Sequence, residues 1–367
     1  MKKGIALFLA LTMAMCCVAC SSGEKAPAAT NDPAPAETPA EAPAETPAET
    51  PAETPEAAPA DTNGIPASVT ISDSTALQGK RIGCSICYKG DEWCAALSDG
   101  LEKLGAVYGA EIVVEDGDLN DETQTKQIEN MIANNCDIIM IDPITPDGCN
   151  EALNKAVEAG IPVIIYDGYW TEGEEKAATT VTWDQYETGV LMGEYFVDYV
   201  KNNMDGKCRV VELANVVSTH CQERFVGLHD VIDKANADGC EIEILNQYDS
   251  AGNRETAYNA IAAIVEPFDF VISDVDNGAM GALSSLQSTG NTDVKILSMG
   301  AYGEEPFGTL HKADPNYLAC INVDSWILAQ FIFDGAIAHF EGKDLEATTN
   351  IDLYVVDKDN VTDFWTF

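Results

Sequence analysis

Arginine is scarce in this chain. Arg81, Arg209, Arg224 and Arg254 are the full set, histidine adds four residues, and 20 Lys and Arg face 61 Asp and Glu for a formal charge of −41. A nucleic-acid partner is excluded on that balance, because binding a phosphate backbone needs a basic face. Direct adsorption to anionic lipid is disfavoured for the same reason. So is a phosphorylated or carboxylated ligand, which calls for bidentate arginine, since none of the four lies clearly at the end of a strand. Catalytic signatures are also missing. No G-x-G-x-x-G follows the first strand, where Gly83-Cys84-Ser85 lies inside it, and there is no G-x-x-x-x-G-K-[ST], H-E-x-x-H or G-x-S-x-G. The apolar run Ile5–Met15 is shorter than the about 20 residues a bilayer span requires.

Cysteine, by contrast, is abundant, with twelve residues. Three belong to the N-terminal region, leaving Cys84, Cys87, Cys94, Cys136, Cys149, Cys208, Cys221, Cys240 and Cys320. Nine is odd, and most sit in apolar strand-like runs where cysteine acts as a small buried hydrophobe, so free thiols are favoured over a disulfide framework. Cys84-x2-Cys87 with Cys94 invites a metal or redox reading, but no second Cys or His pair follows at zinc-site spacing. No D-x-D-x-D-G loop is present for calcium either. No metal and no cofactor are expected.

The N-terminus carries Lys2 and Lys3, the short apolar run, then Val18-Ala19-Cys20 followed by Ser21-Ser22-Gly23. That is a secretory signal. It resembles a bacterial lipoprotein signal, with Cys17 at a position where leucine is usual, and the resemblance implies lipidation of Cys20 and removal of residues 1–20. Residues 21–68 then repeat Pro-Ala-Glu-Thr at 43–46, 47–50 and 51–54. Proline at this density makes neither helix nor ladder, and there is little apolar surface to bury, so a disordered, extended tether is expected. The chain is thus expected to be exported and held on the outer face of the cell membrane by its lipid alone.

Beyond the tether, short β-rich runs alternate with longer helical ones. Arg81–Cys87 reads as a strand, Trp93–Tyr108 as a helix, and Asp137–Ile141 and Pro162–Tyr166 as further strands. The rhythm restarts at Cys208–Leu213 and runs through Ile242–Tyr248, Phe270–Ser273, Lys295–Met299 and Tyr317–Val323. Strands separated by 10–15 residues of helical pattern imply parallel sheets with crossover helices, and runs apolar throughout, such as Ile138–Ile141, imply sheets covered on both faces. Two repetitions predict an α/β chain with two doubly wound lobes.

Ligands in such sheets bind beyond the carboxyl ends of the strands. The residues there include Tyr88, Asp91, Glu92, Trp93, Asp167, Trp183, Asp184, His220, Asp276 and Asp324, a concentration of acids and aromatics. Individually, several have structural explanations; Asp184 and Asp276 would make good helix N-caps.

In its order of motifs the chain from Arg81 to Phe367 resembles the sugar-binding subclass of type I periplasmic binding proteins, the relatives of ribose- and galactose-binding proteins. The resemblance rests on Trp93-x3-Leu97-x-Asp99-Gly100, Ile141-Asp142-Pro143, Ala159 through Asp167, Asp184-x4-Gly189, Arg224-x2-Gly227 and Asp276-x2-Ala279-Met280-Gly281-Ala282-Leu283. It implies two lobes joined by three strands, a monomer that closes on a small ligand and delivers it to an ABC permease and its ATPase. Lobe 1 would take residues 76–183 and 325–352, lobe 2 residues 184–324 and 353–367. By position, the first-loop contacts fall on Tyr88, Asp91, Glu92 and Trp93, the hydroxyl-holding aspartate on Asp167, and the hinge contact on Asp324. Gln222, beside His220, stands where ribose-like relatives have arginine. Gly168, Val275 and Gly300 are further departures, so the ligand is expected to differ from ribose itself.

A polyol needs planar carboxylates and amides for its hydroxyl protons and an aromatic face for its C–H side. Tyr88, Trp93, Trp183 and Asp167 supply these. A monosaccharide or related polyol is the leading ligand class, and the converging acids make a nucleoside or cationic amine the rival. A ligand sensor for a membrane receptor would use the same closed lobes. A carboxylate-dependent glycosidase is a further alternative, which turnover of an aryl glycoside would reveal.

Overall fold

The computed structural model describes residues 64–367 except Asp91 and Glu172. The signal region with Cys20, the tether as far as residue 63, and Asp91 therefore lie outside the described residues. No described helix is long and apolar enough to cross a membrane.

Residues β1 (Arg81–Ile86), β2 (Glu111–Asp116), β3 (Ile138–Ile141), β4 (Val163–Tyr166) and β5 (Thr179–Thr182) form one sheet with β11 (Thr348–Asn350), in the order β11-β5-β4-β3-β1-β2. A second sheet has the order β12-β10-β9-β8-β6-β7. It comprises β6 (Lys207–Ala214), β7 (Glu241–Asp249), β8 (Phe270–Ser273), β9 (Lys295–Ala301), β10 (Tyr317–Asn322) and β12 (Tyr354–Asp357). Every pairing is parallel except β10 with β12. The two doubly wound lobes expected from the repeated rhythm are present. All four residues of β3, β4 and β8 are buried, as strands covered on both faces must be, whereas edge strand β2 has only exposed and half-buried positions.

The helices α1 (Glu92–Val107), α2 (Asp121–Ala133) and α3 (Asn150–Glu158) connect the first sheet. In the second sheet α4 (Gln185–Asn203), α5 (Thr219–Ala237), α6 (Arg254–Ala263), α7 (Asp276–Thr289) and α8 (Glu304–His311) do so, and α9 (Ser325–Phe340) returns to pack on α1. The chain passes between the sheets three times, at β5 to α4, at β10 to α9 and at β11 to β12. Strands β11 and β12 are too short for an alternation to show in the sequence, and neither was expected.

The motifs Asp184-x4-Gly189 and Arg224-x2-Gly227 have a packing cause. A Cβ on Gly189 would lie 1.8 Å from the Arg224 carbonyl oxygen, and one on Gly227 would lie 2.1 Å from that of Tyr186. The two glycines let α4 and α5 cross with backbones in contact.

Glu212 on β6 is 1% exposed, and its carboxylate is held by His229 Nε2 at 2.6 Å and by Gln247 Nε2, which donates at 3.1 Å. The hydrogen bond to Glu212 raises the His229 pKa, against partial burial, with the charges of Glu212, Asp233 and Asp230 adding. The protonated pair therefore stabilises the fold fully below the unfolded imidazole value of about 6.5, and the contribution is lost as pH rises through the higher folded value. Because the imidazole is partly solvated, the contribution is at most about 1 kcal/mol. Thermal unfolding followed across this window is expected to show the loss, and His229→Gln to flatten the slope; an unchanged slope in the variant would assign it elsewhere.

Candidate functional site

In both sheets the strand order reverses between the first and third strands, at β1/β3 and at β6/β8. At such switch points the connecting loops diverge to opposite faces and leave a crevice at the carboxyl ends. The residues beyond β1, β3, β4, β6, β8, β9 and β10 line that edge.

From lobe 1, the first turn of α1 reaches across. Trp93 Nε1 donates to the Val323 carbonyl at 2.7 Å, in the segment joining β10 to α9. Glu92 Oε1 accepts from the Glu304 amide at 3.0 Å, placing a carboxylate at the N-terminus of α8. Tyr169, past β4, packs edge-on against His220 of α5 with ring centroids 4.4 Å apart. Burial, reinforced by the Arg224 charge, lowers the His220 pKa to about 4, so its imidazole is neutral at physiological pH.

Trp93 and Trp183 meet edge to face at 5.8 Å, and the Arg224 guanidinium lies 5.8 Å from the Trp183 ring centre. Trp183 is 4% exposed and its buried Nε1 has no hydrogen-bond partner. Gln222 Nε2, Asn215 Oδ1 and Asn322 Oδ1 are buried and unpartnered too. Asn215 directly follows β6 and Asn322 ends β10. Each such group carries a desolvation cost of about 1–3 kcal/mol unless something answers it. Asn322 and Asp324 also line a cavity beside the lobe crossings, with Ser68, Asp352 and Tyr354.

The remaining expected residues have mixed placements. Tyr88 is half-buried, its ring folded over Gly90. Asp167 sits at φ 57°, a left-handed conformation that aspartate tolerates better than most residues, and its carbonyl accepts from Thr182 Oγ1 at 3.2 Å. Asp184 is exposed and caps α4, accepting from the Glu187 amide at 2.8 Å. Asp324 caps α9, accepting from the Trp326 and Ile327 amides at 2.9 and 3.2 Å, and burial raises its pKa against those bonds. Asp276 departs from the expected capping role. Val275 holds the cap position of α7, and Asp276 is its first residue, accepting from the Asn277 amide at 2.7 Å. Asp276 and Glu92 both lie within electrostatic reach of Arg254.

The arginines also depart from expectation, because Arg224 reaches strand ends and Arg254 bonds the first turns of α7 and α8 beside them. Arg254 forms a bidentate pair with Glu305 and donates to Asn277 Oδ1 at 3.2 Å. Arg224, 6% exposed, donates Nε to Gln185 Oε1 at 2.8 Å and Nη1 to the Asp274 and Met299 carbonyls at 2.7 and 2.8 Å. A Cβ at residue 300 would lie 2.7 Å from that Nη1, so Gly300 makes its room. Both cations are committed within the protein, so the disfavour toward anionic ligands stands on a different footing. Arg224, Asn215 and Asn322, which the sequence pattern does not single out, also lie at this edge. Asn322 lies inside the run Tyr317–Val323 that reads as a strand, Asn215 lies two residues past the run Cys208–Leu213, and Arg224 arrives from a helix with no strand-end signal.

Replacing Arg224 by Met leaves one amide oxygen and two carbonyls buried without a donor, and is expected to destabilise the fold by roughly 3 kcal/mol in urea unfolding. Arg224→Lys is expected to recover little, because an ammonium cannot fork between three acceptors at fixed angles. Full recovery by lysine would show that charge alone matters there.

A model of the periplasmic binding protein domain matches residues 82–344. The chain is 27% identical over 245 residues to a protein of Rhizobium meliloti named for rhizopine binding, covering 65% of this chain and 76% of that one. It is 26% identical over 244 residues to the ribose import binding protein of Escherichia coli, covering 64% and 77%. An ABC transporter solute binding protein from Bacillus halodurans, solved with bound myo-inositol, superposes with a TM-score of 0.70 at 20% identity, covering 78% of this chain and 98% of that one. That last likeness speaks to the fold. With the family model spanning most of the chain, the protein belongs to the periplasmic binding protein family, in its type I sugar-binding class, and it is a binding protein rather than an enzyme.

Proposed function

We propose that this protein is an extracytoplasmic receptor, anchored by lipid at Cys20, that closes on a neutral monosaccharide or related polyol and delivers it to an ABC importer. The observation that carries the ligand class is a set of unanswered buried polar atoms, three just at strand ends and one in the first turns of α5. Trp183 Nε1 and Gln222 Nε2 are donors, while Asn215 Oδ1 and Asn322 Oδ1 are acceptors. Asp274 Oδ1, one residue past β8, is unpartnered as well, and a hydroxyl, which both donates and accepts, suits such a mixed set of donors and acceptors. The neutral His220 and the commitment of Arg224 and Arg254 argue the same way. Tyr88, Trp93 and Trp183 would cover the apolar face of the ring, and Asp91, Glu92, Asp167 and Asp276 would take hydroxyl protons. Asp184 and Asp324, at the lobe crossings, would hold the hinge at Trp183/Asp184, Asp324/Ser325 and Asp352/Leu353. Relatives named for ribose and rhizopine, and one solved with myo-inositol, support the polyol class.

A thermal-shift panel of pentoses, hexoses, inositols, nucleosides and polyamines tests the reading. Stabilisation by a neutral polyol is expected, and Asp167→Ala and Trp93→Ala are each expected to weaken its binding at least about tenfold, ~1.4 kcal/mol. Stabilisation only by a nucleoside or polyamine would move the ligand class, and unchanged affinity in both variants would move the site.

The anchor is tested separately by fractionating cells. The wild-type chain is expected with the membrane, and Cys20→Ala in the soluble exported fraction. A soluble wild-type protein would refute lipidation.

A further inference from the structure

Five helices are capped by the side chain just before them. Asn120, Asp184, Ser218, Asn253 and Asp324 each accept an amide proton from the first turn of α2, α4, α5, α6 and α9. Helix α8 is built differently. Its cap position is Gly303, which has no side chain to offer, and its third residue, Pro306, has no amide to satisfy. The acceptor for the Glu304 amide comes instead from the other lobe, 212 residues away along the chain, as Glu92 Oε1 at 3.0 Å. The backbone at Gly303 makes room for it. Its φ of 114° with ψ of −179° lies in a region that only glycine adopts freely, and a Cβ there would stand 2.5 Å from Glu92 Oε1 and 2.6 Å from Cδ. The receiving turn is fixed to lobe 2, where Tyr302, 4% exposed, packs edge-on against Phe307 and Trp365 with ring centroids 6.0 and 5.4 Å away. The approaching carboxylate is fixed to lobe 1, because Glu92 opens α1 and α1 packs on α9.

We propose that Glu92 and the Gly303–Glu304 turn form an interlobe latch, in which a lobe 1 carboxylate caps a lobe 2 helix only while the lobes are closed. The latch rests on the reading that the lobes open and close. Glu92 serves in it as a positioning residue through Oε1, whichever ligand hydroxyl its second oxygen meets. Trp93, the next residue, donates Nε1 to the Val323 carbonyl at 2.7 Å, so two neighbouring side chains of one helical turn span the lobes together.

Electrostatics decide what the latch does. Closure brings the N-termini of α1 and α8 together, and these are two positive dipole ends that repel. The Glu92 carboxylate belongs to the first residue of one helix and is bonded to the first residue of the other. It lies between the two ends and turns their repulsion into attraction. Glu304 and Glu305 add like charge in the first turn of α8, and Arg254 takes one of them, bonding both Glu305 oxygens with Nη1 to Oε1 at 2.7 Å. On opening, the carboxylate and the Glu304 amide exchange each other for water, so the latch supplies a bias that a ligand's own contacts can add to. That bias raises the closed population of the free chain, and release from the cleft requires the latch to part.

The test compares the wild-type full chain with Glu92→Gln, Glu92→Ala and Gly303→Ala by residue-resolved amide hydrogen exchange and small-angle scattering. No sugar is added, so a failed latch and a failed ligand assignment are separate results. Glu92 is solvent-exposed, and its replacement takes nothing from the core. The Glu304 amide is expected to exchange at least about fivefold faster in Glu92→Ala. The gain is smaller in Glu92→Gln, which keeps an acceptor without the charge, and the amides of β3 and β4 exchange as in the wild type. The scattering radius of Glu92→Ala is expected to exceed the wild-type value as more of the chains stand open. Gly303→Ala, whose Cβ displaces the carboxylate, is expected to do the same with Glu92 intact. Unchanged Glu304 exchange in Glu92→Ala would overturn the latch. So would faster exchange at an unchanged radius, which would make Glu92 a cap with no hold on the lobes. The two Glu92 variants decide the matter even if Gly303→Ala folds poorly.

Discussion

A parallel sheet puts the carboxyl ends of its strands on one edge, and both lobes share that constraint. The contacts between the lobes described here run through those edges. Trp93 meets the segment beyond β10, Glu92 the N-terminus of α8 just past β9, and Tyr169 the first turn of α5. The sheet interiors cannot take part, because β3, β4 and β8 are covered on both faces and their backbone groups are satisfied in the ladders. Polar chemistry is left to the strand ends, where the backbone stops pairing and side chains must complete the hydrogen bonding.

Arg224 shows how such an edge is held together. Its guanidinium takes an oxygen from Gln185, the first residue of α4 just past the crossing into lobe 2, and two carbonyls beyond or near the ends of β8 and β9. One rigid fork thus ties a crossing segment to two strand mouths. Burying the charge is costly, and the nearby Asp274 carboxylate offsets part of that cost. Burial raises the Asp274 pKa, while its bond from the Asn215 amide and the Arg224 charge oppose the rise. Replacing any member of this group strands the others, so the edge is specified by several residues together.

The central strands were legible in the sequence because burial on both faces demands unbroken apolar runs, and Phe270–Ser273 came out with its full bounds. Strand ends were legible as a region but not residue by residue. Asp184 and Asp324 look alike in sequence, yet one is exposed and the other is desolvated enough to raise its pKa. Asp276 appeared to be a cap and is not, because Val275 already adopts the extended conformation of the cap position. What the sequence withheld are choices made by neighbours distant along the chain, such as Gly300 opening space for a guanidinium that arrives from α5.

Those choices bear on the acidic surplus. Six acids follow strands near the proposed cleft, which on composition alone would suit a cation. In the fold, Glu92, Asp184 and Asp324 each give an oxygen to a helix-terminal amide. Their charges are thereby partly balanced by helix dipoles and their rotamers fixed. A polyamine needs carboxylates that can come to meet it, whereas a ring of hydroxyls is best held by acceptors already fixed in place, since immobilising them on binding would cost affinity. These fixed acids favour the proposed neutral, hydroxyl-rich ligand over a polyamine.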